Sequence, residues 1–375
     1  MKVALAHHWI TSYRGGERVL EQIAAIFPGV DIHTLVHDSN VLVPGLAGHR
    51  ILPSLLNRLP KITKTYRHLL PIHPWAIRRM QLAEDVQTII SSDASLVKGI
   101  ATPAGATHVC YCHSPPRYLW ELGDDYKNAS WVAHLALDRF APTLRQFDYL
   151  AAQQVTHFIA NSRFVAERIA RYYHRDAVVV YPPVAVDDFR FDRPREDFYL
   201  VISELVPYKR IDLAVQAFNR LGRRLVVIGD GPDRKRLQSL AAANIEFLGR
   251  QPFGRLKDHL ETAKAFIFPG IEDFGITPVE AQAAGCPVIA FAQGGALETV
   301  LQGRTGVFFG EQDAQALAQE VNEFRAADIN PLDCRTQAEK FSIQEFQARF
   351  SQALAAFDVS LGHESILRDA LSKVG

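Results

Sequence analysis

Cysteine is scarce in this chain: Cys110, Cys112, Cys286 and Cys334 are the only four in 375 residues. That is too few for a disulfide scaffold. The pair Cys110-Tyr-Cys112 would point two thiols to one face of a strand, but no second close pair completes a metal site. All four are therefore read as reduced and mostly buried. Net charge is also missing, because 41 basic residues balance 41 acidic ones, which argues against general nucleic-acid binding. No apolar window is long enough to span a bilayer, and Met1-Lys-Val-Ala-Leu-Ala-His-His turns polar too soon for a signal peptide. The expectation is a cytoplasmic protein, at most peripheral on the inner face of the plasma membrane. There is no Asp-x-Asp loop in a suitable place. The adjacent acids Asp124-Asp125 read as an exposed turn, so neither a metal nor another cofactor is expected. Internal repeats and low-complexity segments are absent too.

What remains is the composition of a core-forming protein, with 48% hydrophobic and 22% charged residues over a length that suits two domains. Short apolar runs alternate with helical patterns, which predicts α/β architecture with parallel sheets. The predicted strands of the first half are Val3–His8, Thr88–Ser92, His108–His113, His157–Asn161 and Val178–Tyr181. A proline- and charge-rich stretch from Tyr181 to Pro194 reads as a linker. The pattern restarts with Tyr199–Ile202, Arg224–Ile228, Asn244–Leu248, Ala265–Phe268, Val288–Phe291 and Val307–Phe309. Helical stretches over Ile343–Phe357 and Glu364–Lys373 close the chain. The expected domains are 1–185 and 186–357, with 358–375 packing back on the first.

Charge is unevenly spread within the neutral total. Residues 1–185 hold 19 Lys and Arg against 14 Asp and Glu, and the remainder 22 against 27. From Arg50 to Arg79 there are seven basic residues and no acid, interleaved with Leu55, Leu56, Leu59, Leu69, Leu70 and Trp75. Such a mixture suits an anionic membrane surface, although a solvated basic face over a core would read the same way.

The chemistry-bearing residues fall where strands are predicted to end, which is where doubly wound sheets bind ligands. Glu272 and Glu280 flank a glycine turn after the strand Ala265–Phe268. Thr277-Pro278 reads as the N-cap and first residue of a helix, with Glu280 in its first turn. Amides from Phe274 through Gly275 and Ile276 to Thr277 would then cradle a phosphate or sugar hydroxyls. Thr277-x-x-Glu280 is equally a capping box, which would give Glu280 a purely structural task. His113, ahead of Pro115-Pro116, is placed to face a ligand cleft, unless it is a hydrogen-bonded core histidine, with Arg117 and Trp120 beside it suited to an anionic or sugar ligand. Gly15-Gly16 at a helix start allows close backbone approach to an anion, although a glycine pair is more often merely a tight loop. Lys209 and Arg210 open another helix, where cations oppose the macrodipole; a bound pyrophosphate would account for them, although a solvated loop lysine would read the same way. Gly229-Asp-Gly231 looks like a dinucleotide fingerprint, but Arg234 stands in the third glycine's place, which counts against a dehydrogenase.

Together these residues resemble the retaining nucleotide-sugar glycosyltransferases of family four, which have the GT-B fold of two Rossmann-like doubly wound domains facing across a cleft. The specific parts are Glu272-Asp-Phe-Gly-x-x-x-x-Glu280, Val206-Pro-Tyr-Lys-Arg, Gly229-Asp-Gly-Pro and Gly285-Cys-Pro-Val. The run His113-Ser-Pro-Pro-Arg-Tyr-Leu-Trp120 is similar to the bacterial mannosyltransferases of this family, which use GDP-mannose. The resemblance implies that Glu280 binds the ribose hydroxyls, that Glu272 holds the donor sugar and that Lys209 neutralises the diphosphate. It further implies Gly16 near that diphosphate, His113 near the reacting carbon, and Gly249-Arg250 at the base. Where many members carry an arginine, this chain has Ser203-Glu204-Leu205, so Arg210 is expected to supply the second positive charge.

The implied reaction moves a hexose, mannose above all, from its nucleotide-diphosphate sugar to a glycan or polyprenyl-linked acceptor in surface polysaccharide or glycolipid synthesis. Retention at the anomeric carbon is expected, with the leaving phosphate taking the acceptor proton. A UDP-sugar transferase of the same fold and a non-catalytic nucleotide-sugar binder are the alternatives.

Overall fold

The computed structural model describes residues 2–121 and 131–359, the side chains of 131–138 excepted. Asp124-Asp125 and the predicted helix Glu364–Lys373 lie outside them. The chain divides into two compact units. One runs from the N-terminus to Pro183 and resumes at Phe346; the other is Val184–Glu345.

The first unit is built on a parallel sheet of β1 (Val3–His7), β2 (Ile32–Thr34), β3 (Ile51–Pro53), β4 (Thr88–Asp93), β5 (Thr107–Cys112), β6 (His157–Ala160) and β7 (Ala177–Val179). Its order is β3-β2-β1-β4-β5-β6-β7. Both faces are covered, so β1 and β4 are buried along their whole length; β1 reads as a nearly continuous apolar run, whereas β4 buries Ser91, Ser92 and Asp93 as well as Ile89 and Ile90. β2 and β3 are only three residues each, too short to leave a pattern in the sequence.

The second unit carries β8 (Tyr199–Ile202), β9 (Leu225–Ile228), β10 (Ile245–Gly249), β11 (Ala265–Phe268), β12 (Val288–Phe291) and β13 (Gly306–Phe309). All are parallel, in the order β10-β9-β8-β11-β12-β13. Its core joins Val201, Val227 and Ile267 of the strands to Phe218, Leu317 and Val321 of the helices.

The helix Ile343–Ala356, expected to close the second domain, instead belongs to the first unit from Phe346 onward. The reason is its apolar face. Phe346, Phe350, Ala353 and Leu354 bury in the cluster that contains Val109, Tyr111 and Ile159, and the Tyr111 ring meets Phe346 at 5.9 Å and Phe350 at 6.2 Å between centroids.

Candidate functional site

In each sheet the strand order reverses at one place: between β1 and β4 in the first, between β8 and β11 in the second. Chain connections leave such a switch point in opposite directions and open a crevice beyond the carboxyl ends of the strands. Both switch points carry polar clusters.

In the first unit, β1 ends in His7 and runs on to His8, β4 ends in Ser92-Asp93, and His113 follows β5. Ser92 is their hub. Its Oγ lies 3.1 Å from His7 Nδ1 and 2.8 Å from His113 Nε2, and its carbonyl lies 3.3 Å from His8 Nδ1. Burial holds all three imidazoles neutral. His7 is pushed well below the usual range by desolvation, then by His8 and His113. His8 is lowered by desolvation against the opposing pull of Asp93 and Glu17. His113 falls to about 3, chiefly by desolvation and next by His8. The helix Gly15–Ile26 starts beside this cluster. A Cβ on Gly16 would stand 3.6 Å from His8 Cε1 and 3.7 Å from His7 Cε1, so the glycine turn packs on the histidine pair. Glu17 accepts the Arg14 N–H at 2.9 Å and closes the first turn.

Trp120 was expected to offer a face to a sugar. Instead its ring stacks on Tyr172 at 5.0 Å, and its Nε1 donates to Asp148 at 2.8 Å. The indole is thereby tied into the packing of its own unit. Arg117 lies 3.8 Å from the Glu121 carboxylate. The loop between them and His113 is clamped by the buried Arg168. Its guanidinium donates to Ser114 Oγ at 2.7 Å, to the Pro115 carbonyl at 3.3 Å and to Glu121 at 2.6 Å. Sequence reasoning passed over Arg168; the signal was an arginine in line with Val165 and Ile169 on the buried face of its helix.

In the second unit the loops after β8 and β11 meet. Lys209 pairs directly with Glu272; the two side chains are 15% and 24% exposed. The Lys209 backbone presses on Gly270, where a Cβ would come within 2.8 Å of the Lys209 carbonyl oxygen. Lys209 sits in a short turn, Pro207–Lys209, and Arg210 is the left-handed residue that precedes the helix Ile211–Leu221. The Arg210 guanidinium reaches Asp212 at 3.3 Å and Gln312 at 3.4 Å, and Gln312 donates to the Pro269 carbonyl at 3.0 Å. Arg210 is thus held to the end of β11.

The helix after this loop begins earlier than its sequence suggests. Gly275, at φ 87°, is its N-cap, and the helix runs from Ile276 to Ala283. Thr277 and Pro278 are therefore its second and third residues, not its N-cap and first. Glu280 is the fifth, 7% exposed, two residues past the third position that a capping box uses. The first amides of this helix have no intrahelical acceptor.

The fingerprint glycines have a packing task. A Cβ on Gly229 would collide with the Ser203 carbonyl at 1.8 Å, and one on Gly231 with that of Leu205 at 2.3 Å. Gly249, left-handed at φ 68°, donates no side chain, and a Cβ there would meet the Arg234 guanidinium at 3.1 Å. Arg234, where a third fingerprint glycine would stand, thus lies over Gly249, with Arg250 exposed next to it. Sequence reasoning also missed Gly294-Gly295 after β12. The Gly295 N–H donates to the Glu272 carbonyl at 2.9 Å, and a Cβ on Gly295 would sit 2.3 Å from the Phe274 carbonyl oxygen. This pair fixes the loop that carries Glu272.

Comparison with known proteins accounts for both units. The sequence model described as Glycosyltransferase Family 4 matches residues 14–188, and that described as Glycosyl transferases group 1 matches residues 187–341. The chain belongs to glycosyltransferase family 4. It is 32% identical over 197 residues to the GDP-mannose-dependent alpha-(1-6)-phosphatidylinositol monomannoside mannosyltransferase of Mycolicibacterium smegmatis, covering 44% of this chain and 52% of that protein. It is 31% identical over 216 residues to the D-inositol 3-phosphate glycosyltransferase of Streptomyces scabiei, 48% of each chain. The match thus spans about half the length of these relatives. In fold, the chain is similar to Anabaena Alr3699/HepE in complex with UDP, with a TM-score of 0.71 at 16% identity over 95% of this chain and 100% of that one. Sucrose-phosphate synthase of Thermosynechococcus elongatus gives 0.71 at 18% identity over 96% and 100%. The fold is GT-B.

Proposed function

We propose that this family 4 protein is a retaining hexosyltransferase that moves mannose from GDP-mannose to a glycan or lipid-linked acceptor. The observation that carries the reading is the Lys209–Glu272 pair at the β8/β11 switch point, in the loop that leads into the helix Ile276–Ala283. Cations and amides preorganised around a diphosphate stabilise the charge that develops as the anomeric bond breaks. In this reading Lys209 and Arg210 take the diphosphate, the amides from Phe274 to Thr277 and the Glu272 carboxylate hold the sugar, and Glu280 binds the ribose. Arg234, Gly249 and Arg250 line the base. His113, Gly15 and Gly16 belong to the reacting end, with Arg117 on the acceptor side. The relative from Mycolicibacterium, GDP-mannose-dependent by its name, favours mannose over other donors.

No helix among the described residues is long and apolar enough to cross a membrane. Contact with an anionic membrane surface is assigned to the segment from Arg50 to Arg79. It exposes Leu55, Leu59, Ile72 and Trp75 among Arg58, Lys61, Lys64, Arg67, Arg78 and Arg79. We also propose that transfer needs no divalent ion; EDTA inhibition reversed by manganese would refute that part. Thermal unfolding against GDP, UDP, ADP, GDP-mannose and UDP-glucose tests the donor. The expected result is a rise selective for GDP that shrinks in Glu280→Ala. A rise selective for UDP would reassign the donor, and no rise with any nucleotide would overturn the reading.

A further inference from the structure

Ser92 has one hydroxyl proton and two histidine nitrogens to satisfy, His7 Nδ1 at 3.1 Å and His113 Nε2 at 2.8 Å. It is buried at 1% exposure. Each imidazole in the cluster is neutral and so carries one ring proton. If the hydroxyl donates to one ring it accepts from the other, and the two tautomers are locked together. Two arrangements follow. In the first, His7 is protonated at Nδ1 and Ser92 donates to His113 Nε2, leaving His113 with its proton on Nδ1. In the second every proton is on the opposite nitrogen.

His7 Nε2 decides between them. It is buried and without a hydrogen-bond partner among the described residues, and it lies 4.0 Å from where a Gly16 Cβ would be, at the start of the twelve-residue helix Gly15–Ile26. The positive end of the helix dipole stabilises a lone pair and opposes an N–H pointed at it. A buried N–H facing that end would be both unpaired and repelled. His7 therefore keeps its proton on Nδ1 and gives it to Ser92. His8 is set independently, because its Nδ1 faces the Ser92 carbonyl at 3.3 Å, an acceptor only.

We propose that Ser92 fixes His113 as the Nδ1–H tautomer, so that His113 meets its ligand as a hydrogen-bond donor and never as a base. Ser92 is on this account a positioning residue that transmits the field of the helix Gly15–Ile26 through His7. The donor role suits a sugar hydroxyl oxygen or an oxygen of the departing phosphate, which gains negative charge during transfer, and to that extent it rests on the transferase reading.

Long-range proton–nitrogen correlation of the ¹⁵N-labelled full chain tests it, with His113→Gln used to assign the ring. His113 should show a protonated Nδ1 and an unprotonated Nε2, a Ser92→Ala chain should show mixed tautomers, and Ser92→Thr should restore the first pattern. In transfer assays Ser92→Ala should lower kcat at least tenfold with donor KM within twofold, and Ser92→Thr should recover most of it. A wild-type His113 protonated at Nε2, or a tautomer unchanged by Ser92→Ala, would overturn the proposal. So would an unchanged kcat in an active enzyme. The wild-type spectrum needs neither a variant nor turnover, so failure of the transferase reading would show separately, as absence of transfer with the tautomer as stated.

Discussion

Lys209 and Glu272 make opposite predictions for the same ligand, which separates a donor-binding pair from a merely structural one. In the free protein the Lys209 ammonium is held by the Glu272 carboxylate in a half-buried setting. A nucleoside diphosphate brings phosphate oxygens that compete for that ammonium. A hydrogen bond to a charged group contributes about 1.5–3 kcal/mol, so Lys209→Met should weaken GDP binding roughly 10- to 150-fold. Glu272→Gln removes the competing carboxylate and one negative charge near the diphosphate. Bare GDP should then bind as well as before or up to about tenfold tighter, since a like charge screened at an effective dielectric near 20 costs of order 1 kcal/mol or more at several ångströms. With the nucleotide sugar the same variant loses its grip on the sugar, and kcat should fall by about two orders of magnitude if the carboxylate holds a hydroxyl in the transition state. Calorimetric titration with GDP, beside initial rates with GDP-mannose, reads all three effects. If Glu272→Gln weakens bare GDP as much as Lys209→Met does, the pair only braces the two loops, and the assignment of Glu272 to the sugar is wrong.

Three further outcomes follow from the described geometry. His73 and His108 are lowered to about 4 and His113 to about 3, in each case first by desolvation. The unfolded chain binds their protons below about pH 6.5 while the fold refuses them. Stability should therefore be flat above that pH and fall by about 1.4 kcal/mol per histidine per pH unit below it; urea midpoints that do not move between pH 7.5 and 5 would refute the burial of these rings as neutral species. Lys98 is buried between Asp93, at 3.1 Å, and Asp148. Lys98→Met leaves both carboxylates without their cation and should cost about 3–5 kcal/mol, and a denaturation midpoint within error of wild type would contradict the pairing. On vesicles rich in anionic lipid, Arg78→Glu with Arg79→Glu should reduce partitioning roughly thirtyfold or more, at about 1 kcal/mol per charge; pelleting unaffected by the reversal would remove the segment from the membrane account.

The parts of the fold legible in the sequence were those carried by local chemistry. Strands such as Ala265–Phe268 and Val288–Phe291 are fully buried on both faces, and turn residues bound them, so their apolar runs announce them. β2 and β3 have three residues each and hold their place by pairing, β2 with β1 and β3 with β2, a long-range effect that no local pattern encodes. The helix Ile343–Ala356 was visible, but its destination was not, because Phe346 and Phe350 are equally good core residues for either unit until Tyr111 is beside them. The site divides along the same line. Glu272, Glu280, Lys209 and His113 carry motif-level signals at strand ends. The groups that set their geometry do not: Ser92 is one serine among many until two imidazoles converge on it, and Arg168 is one arginine until it reaches the loop after His113. Gly294-Gly295 makes the point most sharply. Read alone it is a loop after a strand, yet a single methyl on Gly295 would strike the Phe274 backbone, and the hydrogen bond from its N–H to the Glu272 carbonyl would be lost with the contact. Those glycines act through what they leave room for, so the loop that places Glu272 is specified by Gly294 and Gly295, which meet it in space and not in sequence.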